Sequence, residues 1–170
     1  GCAACEGSPA DQAGHIDQNC LVNHSVLLAE DDDIVRSVMR EMLVWAGAQV
    51  HMAGNGHEAL NILRRSRIDI VLIDLQMPGL NGFETAEQIR RMPDMRDLPI
   101  VAITANLSEA DVAMAANWGV SHALTKPVNP SQLLALMVRL LGLREGDGSA
   151  LGGRVLATGV AEGGAASFRR

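Results

Sequence analysis

DIVLIDLQMPGLNG, Asp69–Gly82, is the stretch on which the reading of this chain turns. Its first half is a short, uninterrupted apolar run, Ile70–Ile73, closed by the carboxylate of Asp74. A run so short reads as a strand, and one that is apolar at every position is buried on both faces, as in a parallel sheet. Its second half carries Pro78–Gly79, a corner that turns the chain away from the strand. Outward from this stretch, similar runs recur at Val26–Ala29, Gln49–Met52, Ile100–Thr104 and Ala123–Thr125. A helical pattern follows each. Val35, Val38, Met39 and Met42 fall at i, i+3, i+4 and i+7 after the first, and Leu133, Leu136, Met137 and Leu140 repeat that spacing after the last. Asn129 is placed to cap the last helix, with Pro130 in its first turn, Gln132 completing a capping box and Gly142 just past its end. Ser108 and Asp111 offer a similar start to the fourth helix, which is alanine-rich and short of large apolar anchors. Strands alternating with helices predict an α/β fold: a doubly wound, five-stranded parallel sheet with helices on both faces. In such sheets the functional crevice lies beyond the carboxyl ends of the strands.

Bulk properties narrow the function classes. The chain has 170 residues and a net charge of −6, which disfavours a nucleic-acid backbone as partner. Aromatic residues make up 2% and tyrosine is absent, so no stacking platform for single strands is expected. No apolar run reaches membrane-spanning length and no signal peptide opens the chain, which predicts a cytoplasmic location. Cys2, Cys5 and Cys20 all fall near the start, without the further ligands or strand–helix context that a zinc or redox site needs. Residues 1–22 read as a linker or disordered tail, residues 23–143 as the folded domain and residues 144–170 as a Gly/Ala-rich disordered tail. The chain opens on Gly1 rather than methionine, which reads as a piece of a longer protein.

The strand ends hold the chemistry. Glu30, Asp31 and Asp32 follow the first strand, Asp74 ends the third, Thr104 the fourth, and Lys126 follows the fifth. Singly, each has a plain explanation: the acidic run suits a helix N-terminus and Asp74 suits a turn. Together they place carboxylates, a hydroxyl and an ammonium along one edge of one sheet. Two carboxylates about 4 Å apart repel by roughly 4 kcal/mol at an effective dielectric near 20, so a raised pKa or a bound cation is expected. Hard oxygen ligands too few for a calcium cage favour Mg2+. Such a set is equipment for accepting a phosphoryl group on an aspartate.

In LLAEDDDIVR, VLIDLQMPGLNGFE, VAITAN and ALTKPV, in that order, the segment 24–143 resembles the receiver domain of two-component response regulators. The resemblance implies a flavodoxin-like (βα)5 fold with strand order 2-1-3-4-5. It implies Asp74 as phosphoacceptor, and Glu30 and Asp31 with Asp74 as the acidic group that holds magnesium, joined by the backbone carbonyl of Gln76. Thr104 becomes the hydroxyl that moves toward the phosphoryl group, and Lys126 its ion-pair partner, with a cis Lys126–Pro127 peptide. Gln76 and Asn106 would tune the lifetime of the aspartyl phosphate. The implied donor is a phosphohistidine on a histidine kinase or a histidine phosphotransfer domain, and the phosphate is relayed or read out as a conformational switch. Contact with a second copy, or within a larger protein, is expected on the face from the fourth to the fifth helix. Where many receivers carry an aromatic residue, this chain has Ala123, so the aromatic part of that readout is missing.

No DNA-binding output segment follows Leu143 and no kinase ATP-binding motif is present, so a single-domain regulator or the terminal receiver of a hybrid histidine kinase is expected. Two other readings compete. A pseudo-receiver would be a phosphorylation-independent interaction module, though such chains usually lose a site position that this one keeps. A magnesium-dependent phosphatase would want an acid two residues after Asp74, where Gln76 stands. Lys126 is also the only lysine among 14 basic residues. A compact ammonium fits a narrow pocket that arginine's flat fork does not, which explains why an arginine-biased chain keeps lysine there.

Overall fold

The computed structural model describes residues 18–106, 108–142 and 165–167. Five strands and five helices alternate: β1 (Ser25–Ala29), α1 (Asp33–Trp45), β2 (Gln49–Ala53), α2 (Gly56–Arg65), β3 (Ile70–Asp74), α3 (Gly82–Arg91), β4 (Ile100–Thr104), α4 (Glu109–Asn117), β5 (His122–Thr125) and α5 (Pro130–Leu140). A short β6 (Ala165–Ser167) closes the series. The first five strands are parallel in the order β2-β1-β3-β4-β5, as expected for a doubly wound sheet.

Period-two alternation divides the core. On β3, Ile70 and Leu72 face one layer with Met39, Leu43, Leu133 and Met137 of α1 and α5. Val71 and Ile73 face the other, with Leu60, Leu63 and Ile89 of α2 and α3. Every residue of β3 and β4 is buried, which explains why each is apolar up to its last residue. The edge strand β2 is exposed at Gln49 and Met52, so its run is weaker. Asn129 caps α5 by accepting from the Gln132 amide at 3.1 Å, and Gly142 follows the helix with φ +70°, as the sequence indicates.

Three expectations change. Residues 18–22, assigned to a linker, form turns, and Leu21 is fully buried while its amide donates to the Ala46 carbonyl at 2.8 Å. The folded unit therefore begins before residue 23; the rest of that segment lies outside the described residues. Of the segment 144–170, assigned to a disordered tail, Ala165–Ser167 form a strand that pairs antiparallel to β5 and extends the five parallel strands by one. The remainder of 144–170 also lies outside the described residues. On α1, Val38 is 62% exposed; Met39 and Leu43 carry the buried stripe, with Val35 and Met42 half-buried beside it. The helix is rotated from the face that spacing alone selects.

Candidate functional site

The run Glu30–Asp33 divides its labour where β1 gives way to α1. Glu30, 2% exposed, points into the crevice; its Oε1 accepts from the Asp32 amide at 3.1 Å. Asp31 is exposed beside it. Asp32 is the N-cap of α1, its Oδ1 accepting from the amides of Ile34 at 2.9 Å and Val35 at 3.0 Å. Those amides, with the Val35 one first, hold its carboxyl below the usual range. Asp33 pairs with Arg36 one turn on. The plain helix-capping explanation thus holds for Asp32, and the pocket takes the two residues before it.

Asp74, 4% exposed, closes β3. Its Oδ1 accepts from the Gln76 amide at 2.9 Å, and Gln76 is exposed in the loop above. That loop stays close to the strand because α3 begins at Gly82. A Cβ at Gly82 would stand 2.5 Å from the Asp74 carbonyl oxygen and 2.6 Å from the Leu75 Cα. Asn81 caps α3, accepting from the Glu84 amide at 2.9 Å.

Lys126 joins the two acids. Its Nζ lies 2.9 Å from Glu30 Oε2 and 3.1 Å from Asp74 Oδ2, and its side chain is 24% exposed. The peptide to Pro127 is cis, as the resemblance implies. Burial pushes the Glu30 carboxyl up to about 7, although its hydrogen bond to Lys126 pulls the other way. Burial also disfavours the Lys126 ammonium, but its hydrogen bonds to Glu30 and Asp74 outweigh that and hold its pKa above the ordinary value. Both directions arise in one pocket: it is dry enough to penalise charge, and two carboxylates facing one ammonium favour the cation.

One oxygen each from Glu30, Asp31 and Asp74 lies within 4.8 Å of the others. Three hard anionic ligands so close fit a small divalent cation that keeps part of its water, which is the character of Mg2+. Thr104, 1% exposed, ends β4 next to β3, and Ile103 pairs with Asp74 in register. Its hydroxyl donates to the Asn106 carbonyl at 3.2 Å and accepts from the Asn106 amide at 3.3 Å, so it is engaged within its own loop.

Glu30, Asp31, Asp74 and Lys126 are thus brought into one cluster, with Thr104 on the adjacent strand end. Sequence reasoning passed over Arg36. Its Nη1 donates to the Glu30 carbonyl at 2.8 Å while its other terminal nitrogen holds Asp33, fixing the backbone beneath the acidic pair. The i,i+3 spacing of Asp33 and Arg36 signals their pairing, but nothing local signals the reach back to Glu30.

A family profile described as response regulator receiver domain matches residues 26–138. The transcriptional regulatory protein AfsQ1 of Streptomyces coelicolor is 35% identical over 123 residues, covering 72% of this chain and 52% of its own. The chain thus spans about half of that relative's length. Among solved structures, the chemotaxis protein CheY4 of Vibrio cholerae superposes with a TM-score of 0.67 at 30% identity, covering 69% of this chain and 98% of its own. The receiver domain of the sensor histidine kinase PA1611 from Pseudomonas aeruginosa gives 0.66 at 30% identity over 70% of this chain and 98% of its own, and has a magnesium ion coordinated in its active-site cleft. With the sheet order, the acidic cluster and the bridging lysine all in place, the chain belongs to the response regulator receiver domain family.

Proposed function

We propose that this chain accepts a phosphoryl group from a phosphohistidine onto Asp74, in a magnesium-dependent step of a phosphorelay. The observation that carries the reading is Lys126, whose ammonium spans Glu30 and Asp74 at 2.9 and 3.1 Å while Asp31 completes the acidic cluster. A carboxylate oxygen of Asp74 attacks phosphorus, a P–O bond forms as the P–N bond breaks, and the departing imidazole of the donor takes up a proton. Glu30, Asp31, Asp74 and the Gln76 carbonyl would hold Mg2+, which when bound supplies positive charge for the transferring oxygens. The buried position of Asp74 limits access of water to the acyl phosphate, and Lys126 offers its ammonium to the new phosphoryl oxygens. The Thr104 hydroxyl, held among the described residues by the Asn106 backbone, is available to turn toward them. The partner that supplies the phosphate is a histidine kinase or a histidine phosphotransfer domain.

The test is incubation with acetyl phosphate and Mg2+, followed by a phosphate-affinity gel. One acid-stable, base-labile phosphoryl group per chain is expected. Asp74→Asn abolishes it and chelation of Mg2+ suppresses it. Absence of any adduct with several small donors would turn the assignment toward a phosphorylation-independent interaction module.

A further inference from the structure

In the parallel order β2-β1-β3-β4-β5, the four-residue β5 would leave the outward half of its backbone groups as a template for another strand. In this chain that edge is taken. Ala165–Ser167 run antiparallel along it, with His122 opposite Ser167, Ala123 opposite Ala166 and Leu124 opposite Ala165.

The cover is built to come off. It is three residues long, well under the usual strand, so few backbone hydrogen bonds hold it. Its residues are Ala, Ala and Ser, none of them a strong strand former. Residues 141–164 separate it from α5, so its departure disturbs neither the order nor the register of the first five strands. Gly163 and Gly164 precede it in sequence. Local opening of so small a unit lies at the low end of the free-energy range over which parts of a protein open. Its place gives the opening a consequence. The pairing ends at Leu124, two residues before Lys126, so the covered strand leads directly into the residue that bridges Glu30 and Asp74.

We propose that Ala165–Ser167 is a releasable intramolecular strap on the β5 edge. When closed it covers the outward backbone groups of β5, and when open it leaves them to solvent. The inference does not depend on phosphoryl transfer, and its test uses neither phosphodonor nor Mg2+. Amide hydrogen exchange is followed at neutral pH over His122–Thr125 in the full chain, in the full-length Ala166→Pro variant, and in a chain ending at Gly142. Exchange in β1 and β3 serves as the internal standard of folding. Exchange in β5 is expected to rise by about tenfold or more in both altered chains while β1 and β3 stay as protected as before. A peptide of residues 160–170 added in excess to the shortened chain is expected to restore the protection. Equal β5 exchange in all three chains would overturn the strap. Protection in the full chain that fades on dilution would overturn its intramolecular character, since the covering strand would then come from a second copy. Asp74→Asn is expected to leave the exchange pattern as it is, which separates failure here from failure of the phosphorelay assignment.

Discussion

Lys126 compensates two acids that would otherwise face each other in a dry pocket, and this makes its removal informative. Lys126→Met is expected to destabilise the metal-free chain by about 1–3 kcal/mol, below the usual cost of breaking a buried pair because Glu30 already holds a proton readily. The deficit should shrink when Mg2+ replaces the lost charge; urea melts with and without the ion check both statements. Asp31 behaves differently because it is exposed. Asp31→Asn is expected to leave stability within about 0.5 kcal/mol. Magnesium binding, read by calorimetry, should weaken at least roughly tenfold, because a unit charge about 4 Å from a cation contributes several kcal/mol at an effective dielectric of 20. These residues were legible in the sequence because each stands at a strand end, where residue type and position carry the same message. Arg36 was not, because its contact with the Glu30 carbonyl depends on how α1 leaves the sheet.

At the scale of the element, α3 fixes the position of Asp74 by coming close. Its first residue, Gly82, leaves no room for a Cβ above the Asp74–Leu75 peptide. Gly82→Ala is expected to cost about 1–3 kcal/mol through overpacking and to slow phosphorylation of Asp74 as the strand end shifts. Gly142→Ala is the contrast: its φ is +70° but the space around it is open, so about 1 kcal/mol and no effect on phosphorylation are expected. Denaturant unfolding paired with labelling from acetyl phosphate separates the two. The helices themselves were legible from their spacing, but their rotation was less so. Val38 fits the periodic pattern and is exposed, because Met39 and Leu43, one turn apart, reach the sheet instead. Spacing defines a stripe, and the neighbouring strands decide which edge of the stripe is covered. The strand β6 left no pattern to read, since Ala-Ala-Ser is strand only by virtue of the edge it meets.

Across the whole molecule, two buried groups set the limits of the folded unit. Leu21 sits fully inside the layer formed by α1 and α5, so Leu21→Ala is expected to cost about 2–4 kcal/mol despite lying in a stretch with no periodic signal. A single apolar residue among polar ones is unreadable until the fold supplies the cavity it fills. His122 on β5 is 5% exposed, and burial, helped by Arg139 of α5, pushes its pKa down to about 4 from 6.5. The folded state therefore binds fewer protons than the unfolded one between those values. The stability that comes from keeping this ring neutral is complete above about pH 6.5 and is lost as the pH falls toward 4. The loss amounts to at most about 3 kcal/mol. Unfolding free energies of the parent minus those of His122→Gln, followed from pH 7 to 4, should fall by up to that amount, since shared carboxylate effects cancel in the difference.

The single lysine has a practical corollary. Every other cationic side chain is an arginine or a histidine, so Lys126 carries the one side-chain amine of the chain. It is also partly accessible, at 24%. An acylating reagent selective for amines therefore has one internal address, and that address lies between Glu30 and Asp74. The rate of its modification, read by mass spectrometry against the N-terminal amine as a clock, becomes a reporter of whatever occupies the crevice, with no label to introduce and no residue to replace.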